Sequence, residues 1–130
     1  MLQYLQVALD FMNLDHADFI ALRKQLLGLL AAQSPDCEMD KQLDALLEHT
    51  RHHFAEEERQ MQACRFPPHP MHKAEHDNVL ADMAANIERW KTGHDTKALQ
   101  QWLEQDLGDW FINHVSTMDF VTASSIASQQ

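Results

Sequence analysis

Three short interruptions cut this chain into four apolar stripes of helical period, and that pattern leaves few folds open. The breaks are Ser34-Pro35-Asp36, Phe66-Pro67-Pro68-His69-Pro70 and Gly93-His94-Asp95. Proline lacks the amide that a helix interior needs, and glycine suits a helix end. The first stripe, from about Asp10 to Ala32, carries His16, Phe19, Ile20, Arg23, Leu27 and Leu30 along one side. The second spans roughly Met39 to Cys64 and reads Leu43, Leu46, Thr50, His53, Glu57, Met61 and Cys64. The third is His72, His76, Val79, Met83, Ile87 and Trp90, with one of the nearby prolines placed in its first turn. The fourth, about Thr96 to Val121, carries Leu99, Leu103, Leu107, Trp110, His114 and Met118. Spacings of three and four residues define each as an amphipathic helix. Four such helices with short connections predict an all-α, up-down-up-down antiparallel four-helix bundle, one domain over residues 1–130. Residues 1–9 are apolar enough to pack against it. Residues 122–130 are small and polar, and are expected to fray.

Six of the stripe positions do not belong in an apolar core: His16, His53, Glu57, His72, His76 and His114. Burial of such groups is costly unless each finds a partner. His53 and Glu57 are four apart, as are His72 and His76, so each pair projects from one helix face. His114 and Asp119 are five apart, an α-helical offset of about 140° that is looser. One His-x-x-x-His spacing is a weak signal alone. The turns supply an independent test, because in an antiparallel bundle residues at one height lie equally far from the loop between them. The midpoint of His16 and His53 falls on Ser34-Pro35, and that of His76 and His114 falls on the Gly93 break. The midpoint of Glu57 and His72 falls just before the proline cluster. At about 1.5 Å of rise per residue, all seven side chains can therefore share one level.

Five imidazoles and two carboxylates exceed the ligand set of a single ion, and a lone zinc needs only four ligands. Two ions sharing both carboxylates would use the whole set. Other polar residues compete less well. His49 faces away from the inward angle set by Thr50 and His53, and His52 with Glu56 forms an alternative phase that Leu46, Thr50 and Met61 disfavour. Glu56 and Glu58 are expected to meet water or outer donors. His69 and His94 sit at breaks, where they are more easily solvated. Asp15 and Asp18 read as a solvated pair, with Asp15 able to steady a nearby imidazole. Cys37 and Cys64 have no metal-binding spacing.

The stretches Asn13-Leu14-Asp15-His16, His53-Phe54-Ala55-Glu56-Glu57-Glu58, His72-Lys73-Ala74-Glu75-His76 and Trp110-Phe111-Ile112-Asn113-His114-Val115-Ser116-Thr117-Met118-Asp119 together resemble the haemerythrins, of the bacterial single-domain type. The resemblance runs from the first helix to Asp119. It implies two irons, one held by His72, His76 and His114, the other by His16 and His53. Glu57 and Asp119 would bridge them with an oxo or hydroxo group. On that pattern the three-His iron has six ligands and the two-His iron five, so one position stays open. An apolar pocket of Phe54, Trp110, Phe111 and Val115 is expected to face it, admitting dioxygen, nitric oxide or azide.

Net charge excludes one class of partner. At −10 the chain would repel a nucleic-acid backbone. No apolar run is long enough for a membrane span, and no secretory pattern opens the chain, so a cytoplasmic location is expected. The resemblance implies reversible dioxygen binding for carriage, storage or sensing. A di-iron redox enzyme acting on peroxide or nitric oxide, or an iron- and oxygen-responsive signalling module, are the alternatives. A His-rich site lacking the Glu-x-x-His elements of carboxylate-rich oxidases favours the first.

Overall fold

A computed structural model describes residues 2–129, and every described regular element is helical. Helix α1 is Asp10–Ala31, α2 is Asp36–Ala63 and α3 is His69–Gly93. Helix α4 covers residues 96–127 without a break in right-handed backbone, but it is not uniform. Two π turns, Trp102–Asp106 and Val115–Asp119, separate its α-helical parts Thr96–Gln101, Leu107–His114 and Phe120–Ala127. Contacts join α1 to α2, α2 to α3, α3 to α4 and α4 back to α1, the predicted up-down-up-down bundle. No helix among the described residues is long and apolar enough to cross a membrane.

Local chemistry explains the ends. Pro35 precedes α2, whose first turn carries Asp36 and Glu38 where the positive end of the helix dipole favours them. Pro70 occupies the first turn of α3. The end of α3 differs from expectation: Gly93 stays helical, and His94 takes the left-handed conformation at φ 52°, its N–H bonding Trp90 O at 2.8 Å. Asp95 then caps α4 by accepting from Ala98 N at 3.1 Å.

The predicted stripe of α3 is buried in full, and that of α2 is buried as far as Met61. In α1 the buried leucine is Leu26, while Leu27 lies only half-buried. In α4 the expected stripe drifts. Phe111 and Asp119 are buried in place of the expected Trp110 and Met118, because each π turn inserts a residue and rotates the helix beyond it. The expected frayed tail is also corrected: α4 continues to Ala127 and buries Thr122, Ala123 and Ile126. Before α1, Val7 and Leu9 pack into the core, and Asn13 ties the segment down through Val7 N at 2.8 Å and Val7 O at 2.9 Å.

Candidate metal centre

All seven residues singled out by spacing come together in the interior, and none is more than 7 % exposed. Their side chains arrive from all four helices, His16 from α1, His53 and Glu57 from α2, His72 and His76 from α3, His114 and Asp119 from α4. The loose His114–Asp119 spacing is resolved by the second π turn. Phe120 N–H bonds Val115 O, five residues back, and this wider turn swings Asp119 toward the face of His114. His114 Nε2 lies 3.0 Å from Asp119 Oδ1.

The donors fall into two groups. Glu57, His72, His76, His114 and Asp119 offer atoms all within 4.8 Å of one another, and His16, His53 and Asp119 form a second such group. Each carboxylate divides its oxygens between them. Asp119 Oδ1 faces His72 at 3.1 Å and His114 at 3.0 Å, while Oδ2 faces His16 at 2.9 Å. Glu57 Oε1 faces His72 at 3.1 Å and His76 at 3.7 Å, while Oε2 faces His53 at 2.7 Å. Donors bound at right angles to one ion at ~2.1 Å would lie ~3 Å apart, the separation seen here.

Orientation distinguishes this cluster from an ordinary hydrogen-bonded core. Both Glu57 oxygens, His53 Nε2 and His76 Nε2 are buried without a hydrogen-bond partner. Groups that crowd this closely without bonding each other point at a shared centre. The opposite nitrogens of three rings are engaged: His53 Nδ1 with Asp15 Oδ2 at 2.8 Å, His72 Nδ1 with Thr122 Oγ1 at 2.8 Å, and His76 Nδ1 with Glu58 Oε2 at 2.9 Å. Such partners hold the proton on Nδ1 and leave the Nε2 lone pair free for a cation. The cluster is of the kind that suits a di-iron centre.

Electrostatics agree. Burial works against a charge on His53, but the bond to Asp15 and the close Glu57 carboxylate outweigh it and push the ring up to about 10. Burial likewise opposes charge on His72, and Asp119 and Glu57 raise it to about 9. His76 is driven down to about 2 by burial and by the repulsion of His72 and His114. Burial raises Asp119, yet hydrogen bonds from His114, His16 and His72 hold its carboxyl well below the usual range. Without a cation the carboxylates thus retain protons on neighbouring rings. A cation of higher charge would displace them.

The remaining candidates sort cleanly. Phe54, Trp110 and Phe111 line a small cavity beside His16 and His53, whereas Val115 is buried in the core and does not line it. Phe54 stacks on His76, with centroids 3.7 Å apart, and only tilts against His53; Trp110 stacks on His114 at 4.7 Å. His49 stays outside both donor groups and meets the Asp15 carbonyl at 3.1 Å. His52 and His94 are exposed, Glu56 pairs with Arg59, and His69 is half-buried at the start of α3. Asp15 and Glu58 steady imidazoles. Sequence reasoning passes over Thr122 and Phe19. Thr122 falls in the expected frayed tail, although it stands three residues after Asp119 on one helix face. Phe19 has the pattern of ordinary core, and no sequence signal marks it as cavity wall.

The sequence model of the Hemerythrin HHE cation binding domain matches residues 7–124. The chain belongs to the haemerythrin family. It is 36% identical over 115 residues to a Bacteriohemerythrin of Ralstonia nicotianae, covering 88% of this chain and 79% of that one. A Bacteriohemerythrin of Aquifex aeolicus is 30% identical over 116 residues, 89% of this chain and 88% of that protein. A Myohemerythrin of Sipunculus nudus is 30% identical over 89 residues, 65% of this chain and 67% of its own length. No solved structure gives a significant match. The five histidines, Glu57 and Asp119 all lie inside the matched haemerythrin domain.

Proposed function

We propose that this haemerythrin binds dioxygen reversibly at two irons. His72, His76 and His114 would hold one iron and His16 and His53 the other, with Glu57 and Asp119 placed to serve both. Two ferrous ions supply the pair of electrons that dioxygen takes up on binding and returns on release. One observation carries the reading: the donor set is split three histidines against two, and a cavity of about 20 Å³ opens beside the pair. That volume admits a water or a diatomic molecule and no organic substrate.

The protein's own contribution is to orient and to exclude. Phe19 and Phe111 stack at 4.7 Å and, with Phe54 and Trp110, leave the cavity an apolar wall. This aromatic side offers no free hydrogen-bond donor, the indole N–H of Trp110 being taken by Glu75, while Asp15, His49 and Thr50 complete the lining. Asp15 fixes the ring of His53 through Nδ1, on the side where a ligand would enter. Nitric oxide, also diatomic, is small enough for the same cavity.

Anaerobic loading with ferrous iron, followed by cycles of oxygen and argon, tests the reading. Two irons per chain and a visible spectrum that appears and disappears over several cycles are expected. One tightly bound zinc, or a first cycle that cannot be reversed, sinks it. Sustained consumption of peroxide or nitric oxide with a reductant would transfer the centre to the enzymatic reading.

A further inference from the structure

We propose that Arg23 is a positioning residue for the metal centre. It holds the π turn Trp102–Asp106 in place and so sets the rotation at which α4 presents His114 and Asp119. The proposal rests on the di-iron reading above, and it starts from an anomaly, a cation within the apolar stripe of α1. Among the described residues no carboxylate pairs with Arg23. Its Nε donates to Leu103 O at 2.7 Å and its Nη2 to Glu104 O at 3.2 Å, two successive carbonyls inside the π turn.

A π turn needs such support, because it spends an extra residue on one turn and weakens the ordinary α-helical ladder around it. Leu107 N–H reaches back five residues to Trp102 O. A charged, forked donor suits adjacent carbonyls better than a neutral one would. Gly108, a residue that otherwise weakens a helix interior, packs beside it, where a Cβ would make ordinary contact and a larger side chain would press on the guanidinium. A Cβ there would stand 3.4 Å from Nη2 and 3.7 Å from both Cζ and Nε, so the guanidinium lies against bare backbone.

The consequence at the metal centre is a matter of phase. Inserting one residue changes the rotation of everything beyond it by about 100°. Leu99 before the turn, Trp102 at its start, and Phe111 and His114 after it are each 3 % exposed and so face the core together. In an uninterrupted α-helix the two pairs would point about 120° apart. Relaxing the turn would rotate either the N-terminal part of α4 or the part that bears the ligands. Arg23 lies on α1 seven residues beyond His16, two turns along the same face. It therefore ties the helix of one ligand to the register of two others.

The test compares the full-length wild type with Arg23→Met, Arg23→Lys and Gly108→Val. Hydrogen exchange is measured on the metal-free proteins, and iron affinity and the diferric absorption spectrum on the loaded ones. Arg23→Met should speed exchange at residues 103–108 at least tenfold, weaken binding of iron about tenfold and shift the spectrum. Arg23→Lys, keeping one charged donor, should fall between. Gly108→Val should push the guanidinium aside and reproduce the Met variant with Arg23 still present. Unchanged exchange in folded variants overturns the proposal. So does a lower melting temperature with wild-type iron affinity and spectrum, since Arg23 would then only support the fold. Should Arg23→Met fail to fold, Arg23→Lys and Gly108→Val decide by the same criteria. A wild type that takes up no iron pair would defeat the di-iron reading instead, while exchange in the metal-free chain would still report on the turn.

Discussion

Replacing Phe111 by Ala separates the wall of the cavity from the ligands that hold metal. The Phe111 ring stacks on Phe19 at 4.7 Å and meets His16 at 5.5 Å and Tyr4 at 5.3 Å, both edge-on, so the truncation removes three ring contacts from a buried position. A void on the order of 100 Å³ costs about 2.4 kcal/mol at ~24 cal/mol per Å³, and with the lost transfer energy the total reaches the range of about 3–5 kcal/mol for Phe→Ala in a core. For a domain of this size, that lowers the melting temperature by roughly 10–20 °C. The functional effect is larger in kind. The cavity beside His16 and His53 grows from about 20 Å³ to a space that holds several waters. Both irons should still bind, because no ligand is altered. Conversion of the oxygenated protein to an inactive diferric form should then accelerate about tenfold, equivalent to about 1.4 kcal/mol off the barrier. Stopped-flow oxygenation and the autoxidation rate, each normalised to iron content, measure this apart from stability. An unchanged autoxidation rate in a fully loaded, folded variant would refute the idea that this wall keeps water from the centre.

Charges and hydrogen bonds at the centre set further outcomes. In the metal-free chain His53 and His72 hold protons up to about 10 and about 9, so metal uptake near pH 7.5 should release a proton from each, and above about 10.5 from neither. A pH-indicator dye in weak buffer reads the difference. The same linkage makes the stabilising ion pairs of these two rings fully present below about 6.5 and lost as pH rises through 9 to 10 in the metal-free fold. His76, pushed down to about 2, acts oppositely and weakens the fold as pH falls below about 6.5. Thermal melts of the metal-free protein at about pH 5, 7.5 and 10.5 test both signs. Asp15→Ala, which frees His53 Nδ1, should weaken metal binding by about 10–100-fold while leaving helicity intact, measured by competition with a chelator. Wild-type affinity in that variant would show that packing alone orients the ring.

Much of this is legible in the chain because an antiparallel bundle converts distance from a loop into height. His16 with His53, and His76 with His114, are balanced about their turns, and the third helix buries its whole predicted stripe from His72 to Trp90. The pattern cannot show a change of helical period. A constant period of about 3.6 residues places Trp110 and Met118 inward. The two π turns of α4 select Phe111 and Asp119 instead, and no single residue type announces them. The same blindness hides Thr122, since a small polar residue near a terminus reads as fraying until Asp119 fixes the phase that brings it to His72. Arg23 is visible as a misfit in an apolar stripe. Its partners are backbone carbonyls, which carry no sequence signal.

The five imidazoles are not held alike. His53, His72 and His76 are turned by hydrogen bonds through Nδ1. His16 and His114 bury Nδ1 with no partner, which costs about 1–3 kcal/mol for each unsatisfied group. Their rings are set by aromatic contact instead: Phe111 stands edge-on to His16, and Trp110 lies nearly parallel to His114, with its own indole N–H anchored on Glu75 at 2.8 Å. Both of these rings line the small cavity, as do Phe111 and Trp110, and so does His53 with its partner Asp15. Aromatic side chains that form one side of the cavity therefore also aim two of the ligands, where Asp15 aims a third.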